Sequence, residues 1–308
     1  MILIKKIIIF FLFLFSFCMN VYALENKILY KVNNEIITSI DLLNEVEYLT
    51  LINKNIKNLN KERIFEIGMN SILREKIKKI ELKKYVSSFE VDENFYNLIQ
   101  DNFLKKINFE TINELEKYLL NKNLDIKMIK QKLIEEALWN QLILSKYSKD
   151  IKVDKKKIRE EILKNNFQKE FLLSEIVFDL DQNQSLEEKL NQIKSEISSS
   201  SFSNAALTYS DSDTSKNGGK LGWIKLNSLN SKIKKKLSKI KKNSITDPIV
   251  IPGGFLILKI EDIREAEILN NIDREVEIVV NEIANKQLNQ FSIIFFNKIE
   301  KEVKIDEL

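Results

Sequence analysis

Tyr209-Ser210-Asp211-Ser212-Asp213-Thr214-Ser215-Lys216-Asn217-Gly218-Gly219-Lys220-Leu221-Gly222-Trp223 holds three of the six glycines of a 308-residue chain that has only two prolines. Such a stretch reads as a turn-rich loop between regular elements, with glycines placed for positive φ. Working outward from it, Glu170 to Leu180 reads as a strand and Ser185 to Ile197 as a helix. Ser198 to Ser201 then forms a serine break before another short helix through Tyr209. On the other side lie a short strand at Trp223-Ile224, a Lys-rich helix near Ser228 to Lys242, a turn at Asp247-Pro248 and a strand from Gly254 to Ile263. This alternation predicts a compact α+β domain over residues 169–265.

The flanking chain has a different grammar. Ile28 to Val32, Asn33-Asn34 and Glu35-Ile36-Ile37 predict a hairpin, after which Thr38 or Ser39 can cap a helix containing Asp41. Lys61 to Tyr85 spaces Phe65, Met69, Ile72, Ile77 and Ile80 as a long amphipathic helix. Further helices are predicted at about 92–104, 111–120, 125–146 and 154–164, so residues 24–168 are mostly α. After Glu265, Val276, Val279, Ile283, Phe291, Ile294 and Ile299 mark a last helix within 266–308. It is too apolar to stand alone, so it should return to the N-terminal helices; a separate dimerising helix is the alternative.

Composition narrows the chemistry. At 44% hydrophobic and 31% charged the chain can build real cores, and few Gly and Pro argue for helices over an all-β fold. There is no His, which excludes Ser-His-Asp and Cys-His catalysis and His-ligated zinc. Lys5, Lys6, the apolar run from Ile7 to Phe17 and Val21-Tyr22-Ala23 read as an export signal over residues 1–23, cleaved near Ala23. The alternative is a retained membrane anchor. Cleavage would remove the lone Cys18 and lower the net charge from +4 to +2, which gives no bulk reason to expect nucleic acid. Ile305-Asp306-Glu307-Leu308 partly matches an ER retention signal, with Ile in place of its Lys.

Other motifs fail their own tests. Asp211, Asp213 and Ser215 open like a calcium loop, but Lys216 stands where Gly is needed and Gly222 where the bidentate Glu should be. Gly218-Gly219-Lys220 lacks the upstream Gly and the following Ser or Thr of a phosphate loop. No cofactor, metal or nucleotide is expected. Lys232 to Lys242 carries seven Lys in eleven residues, read either as a solvated helix face or as a contact for an anionic membrane surface.

Phe171 to Arg264 resembles a parvulin-type (PpiC) peptidyl-prolyl isomerase domain. The likeness rests on Tyr209 to Ser212, Asn217 to Trp223, Asp247-Pro248-Ile249 and Gly254 to Ile260, in that order. Val32 to Thr38 with Asp41-Leu42, the helices that follow and the returning C-terminal helix resemble the SurA-type periplasmic chaperones. The resemblance implies a SurA-like helical domain completed by the last helix, with one parvulin domain. It implies a periplasmic protein that binds unfolded outer-membrane or other exported proteins.

In the parvulin family two His lie in the site; here the matching positions are Glu175 and Leu256. The family's central Cys or Asp corresponds to Ser212, and its proline-pocket Met and Phe to Leu229 and Ile233. The expected site is therefore Ser212 with Glu175, beside a proline pocket of Trp223, Leu229, Ile233, Phe255 and Leu256. Glu175 is read as a partner of Ser212 or as a solvated strand residue. Two activities stay open: a chaperone with a degenerate domain of weak or no isomerase activity, or an active isomerase. A membrane-anchored foldase is a third reading, tied to retention of the first segment.

Overall fold

The computed structural model describes residues 26–120, 122, 124–164, 167–180, 183–267 and 271–308. The signal-like segment and the expected cleavage near Ala23 lie outside them. The architecture is α+β.

Strands β1 (Ile28–Val32) and β2 (Glu35–Thr38) form the hairpin, and Asn33 adopts φ 52° at its turn. Thr38 caps α1 (Ser39–Ile52): its hydroxyl accepts from the Asp41 amide at 3.2 Å, and Asp41 Oδ2 accepts from the Thr38 amide at 2.9 Å. This reciprocal box satisfies donors that a helix start leaves open. Five more helices follow: α2 (Lys61–Leu82), α3 (Glu93–Ile107), α4 (Ile112–Leu119), α5 (Ile126–Tyr147) and α6 (Lys155–Leu163). Each of these five starts behind an Asn, Asp or Thr whose side chain accepts from the first turn.

Beyond α6 the chain builds an antiparallel sheet of β3 (Phe167–Phe178), β4 (Lys220–Lys225), β5 (Ile249–Ile251) and β6 (Gly254–Glu267), ordered β4-β3-β6-β5. Helices α7 (Leu186–Ser199) and α8 (Phe202–Tyr209) cover one face, where Ile176, Phe178 and Ile257 meet Ile193, Phe202 and Ala206. The other face carries Phe171, Leu173, Val177, Leu256 and Leu258 and packs on α9 (Ser231–Leu237) through Ile233 and Leu237.

The Lys-rich helix is shorter than its periodicity predicts. It stops at Leu237 because the chain must rejoin the sheet: the Asn243 amide donates to the Ile260 carbonyl at 2.7 Å, and Ile245 bridges Lys259. Lys234 pairs with Glu161 at 2.9 Å, Lys236 with Asp247 at 3.3 Å and Lys242 with Asp262 at 2.7 Å.

Helix α10 (Ile272–Glu300) runs for 29 residues. Its first turns meet Ile158 and Ile162 of α6 through Val276 and Val279. Its last turns enter the helical core, where Phe295, Phe296 and Ile299 join Ile72, Ile77, Leu138 and Trp139. Strand β7 (Ile305–Glu307) then pairs with β1, so the segment that partly matches a retention signal is a sheet edge. No helix among the described residues is long and apolar enough to cross a membrane.

Candidate functional site

A strand sends successive side chains to opposite faces. On β3, Leu173 and Val177 point to the face covered by α9, and Glu175 between them shares it. The loop after α8 meets Glu175 there. The Ser212 hydroxyl donates to Glu175 Oε1 at 2.7 Å and the Thr214 hydroxyl to the same oxygen at 3.0 Å. Glu175 is thus no solvated strand residue. The resemblance does not point to Thr214, although its spacing of two from Ser212 makes both hydroxyls available to one carboxyl.

Backbone geometry fixes this contact. The Glu175 amide donates to the Gly219 carbonyl at 2.8 Å, and Gly219 holds φ 76°. A Cβ there would lie 2.2 Å from the Glu175 carbonyl oxygen, so only glycine permits the approach. Gly222, at φ 82°, sits where the β3–β4 register shifts: Leu173 faces Gly222 while Ser174 faces Lys220. The residue left over is Leu221, and this bulge lets it pack on the α9-covered face. Leu221 is a pocket residue that period-two reading assigns to the wrong side; the positive-φ glycine after it was the available signal.

Leu229, Ile233 and Leu256 do meet on this face, all buried. Phe255 and Trp223 do not, which corrects the expected pocket. Phe255 is the strand neighbour of Leu256, so it must point the other way, and it stacks on Phe178 with ring centres 5.5 Å apart. Trp223 likewise lies opposite Leu172, one residue out of step with the Ile224–Phe171 pair, and carries the Arg264 guanidinium 4.1 Å from its ring centre.

Burial raises the Glu175 pKa, against the lowering effect of the two hydroxyls and of the Lys286 charge. A carboxyl held towards its neutral form beside two hydroxyls can donate or accept hydrogen bonds around a twisting amide. It does not make a nucleophile, and X-Pro isomerisation needs none. Among the described residues no cluster of Asp, Glu or Cys could hold a metal ion.

The same loop is bound to the helical body by charge. Lys78 of α2 pairs with Asp213, and Lys216 reaches Glu75 at 2.8 Å. Burial opposes ionisation of both acids, but Lys132 and Lys216 outweigh it at Glu75, and Lys78 and Arg74 at Asp213; each lies at about 2. These two carboxylates therefore stabilise the fold fully above about pH 4.5, and that contribution is lost as pH falls towards 2. Glu175 and Asp211, raised mainly by burial, work in the opposite sense and offset part of the loss. The melting temperature should fall between pH 5 and pH 3, and Glu75→Gln should flatten that slope. A melting temperature that rises on acidification would contradict this account of the clamp.

Residues 171–262 match the family model described as the rotamase, PPIC-type PPIase domain. Chaperone SurA of Methylococcus capsulatus is 34% identical over 89 residues, which is 28% of this chain and 20% of that protein. Chaperone SurA of Sodalis glossinidius is 36% identical over 102 residues, 31% of this chain and 24% of that one. The chain therefore spans about a fifth to a quarter of the length of these relatives. A solved structure described among two SurA-like chaperones of Campylobacter jejuni, PEB4 and Cj1289, covers 92% of this chain and 99% of its own at 16% identity, with a TM-score of 0.33. The matched segment coincides with the four-stranded sheet and its site loop, so over residues 171–262 this chain is similar to a PPIC-type PPIase domain, and the SurA chaperones are similar to it over a segment of about that length.

Proposed function

We propose that this chain is a periplasmic chaperone that holds unfolded outer-membrane proteins, and that its PPIC-type domain has weak or no isomerase activity. The observation that carries the reading is a cavity of about 500 Å³ between the helical body and the PPIC-type domain. Arg74 and Lys78 of α2 line it from the helical body, Asp179, Tyr209 and Asp211 from the sheet part, and Lys301 after α10 is a further lining residue. Cations and carboxylates both line it. Walls of this kind suit a neutral extended backbone held weakly, and nothing in such binding requires a nucleotide.

In this reading residues 24–168 and 266–308 hold the client, and residues 169–265 form a second wall. The export signal read at residues 1–23 and the SurA relatives support a periplasmic location. The absence of imidazole at Glu175 and Leu256 supports weak catalysis, because the groups hydrogen-bonded to one another there are one carboxyl and two hydroxyls.

The test pairs two assays on one sample of purified protein. Suppression of aggregation of an unfolded outer-membrane protein is expected at near-equimolar chain, with prolyl exchange in a protease-free assay at the uncatalysed rate. Failure to suppress aggregation rejects the chaperone reading. Exchange well above background that falls at least tenfold in Glu175→Gln makes the protein an active isomerase instead.

A further inference from the structure

We propose that the C-terminal helix of this chain occupies its prolyl site, so that a proline-containing segment enters only when α10 lifts from the sheet. The proposal rests on reading the Glu175 face as the prolyl site.

Four contacts place α10 along that face. At its start Glu275 pairs with Lys225, at the end of β4. In the middle Lys286 Nζ donates to Ser228 Oγ at 2.9 Å, next to Leu229, and its charge is felt at Glu175. Further on Ile293, itself buried, belongs to the same apolar cluster as Leu229, Ile233 and Leu256. Ile294 then lies against the β5–β6 turn, where its Cγ1 would be 2.9 Å from a Cβ placed on Gly253.

The two ends of a prolyl site need different groups: an apolar surface for the ring and a polar one for the amide. Helix α10 supplies both from one segment, Ile293 to the apolar end and Lys286 to the polar end. Lys286 is costly to hold there, since burial brings its pKa down to about 8 although Glu282 and Glu175 oppose the shift. A buried ammonium facing a carboxyl is a contact that water could replace, which is what a releasable cover requires. Residues 171–262 alone contain none of α10, so the closure is a property of the whole chain and not of the matched domain.

The test uses the full chain with methyl-labelled Ile and Leu and a capped Ala-Ala-Pro-Phe peptide as probe. Two variants release α10 from different ends. Lys286→Glu sets a third carboxylate beside Glu175 and Glu282; Ile293→Ala removes the apolar plug. Hydrogen exchange of the β6 amides confirms release in each, and either folded variant suffices. The expected result is at least tenfold tighter peptide binding than the unmutated chain, with shifts at the Leu221, Leu229 and Ile233 methyls. Equal binding by the unmutated chain with those same methyl shifts would overturn the proposal, as would a released variant that gains nothing. Aggregation suppression on the same samples reports on the chaperone reading separately, because that assay depends on the cavity between the helical body and the sheet.

Discussion

Lys132→Met should lower the free energy of unfolding by about 3–5 kcal/mol, the range expected when one partner of a buried ion cluster is removed. Lys132 on α5 reaches both Glu45 of α1 and Glu75 of α2, and its ammonium stands 4.8 Å from the ring centre of Tyr48. Glu45 is 1% exposed and also accepts from Ser71 Oγ at 2.6 Å. Methionine fills much of the same space but leaves two carboxylates facing each other in a site with little water. Lys216 would remain for Glu75, whereas Glu45 would keep only the Ser71 hydroxyl among the bonds described. Urea unfolding followed by far-ultraviolet circular dichroism measures the loss. The double change Lys132→Met with Glu45→Gln should recover most of it, because Lys216 still balances Glu75 and the penalty comes from the uncompensated Glu45 charge. A single-variant cost below about 1 kcal/mol, the value of an exposed pair, would show that water reaches the cluster.

Trp139→Ala should cost about 3–5 kcal/mol, as for other large-to-small changes in a packed core. Trp139 is fully buried on α5, stacks on Phe295 of α10 with centres 5.6 Å apart, and donates from Nε1 to Ser292 Oγ at 2.8 Å. Its removal opens a void where α10 meets the helical body and leaves the Ser292 hydroxyl without that donor. Trp139→Phe separates the two effects: it keeps most of the packing and should cost about 1–2 kcal/mol for the lost hydrogen bond and volume. Only two tryptophans are present, so Trp223 remains as a fluorescent reporter in the sheet. If Trp139→Ala unfolded both parts of the molecule together, α10 would be the coupling between them. Two separate transitions would show that the sheet domain holds without it.

The two variants probe different attachments of the same helical body, and both bear on how the site loop is held. Lys132 and Lys216 share Glu75, so the charge cluster under α1, α2 and α5 extends to the loop that carries Ser212 and Thr214. Trp139 acts through α10, whose Lys286 reaches Ser228 next to Leu229.

Local chemistry was readable from the chain: the caps at Thr38, Asp92, Thr111 and Asp125, the apolar stripes of α2 and α5, and the glycine loop between α8 and β4 are all set by neighbours within a few residues. The approach of Ser212 to Glu175 could be named as one of two options, because both positions align with a known motif order. The composition of the pocket could not be read correctly. Phe255 and Leu256 are adjacent on one strand and so occupy opposite faces, while Leu221 changes face because a bulge at Gly222 interrupts the period of two. Three-residue β7 carries no periodicity of its own and becomes a strand only because β1 offers it an open edge.

The sequence by itself determined the type of the longer elements, the α+β class and the residue types present at the site, since propensity, capping and hydrophobic spacing act over one or two turns of chain. Only the tertiary structure decided which of those residues share a face, that Glu45, Glu75, Lys132 and Lys216 form one charge cluster, and that α10 brings Lys286 to Ser228 and Ile293 to the apolar cluster of the sheet. These pairings join positions up to about 140 residues apart, such as Lys216 with Glu75. They depend on how the sheet and the helical body come together, and no local pattern records that.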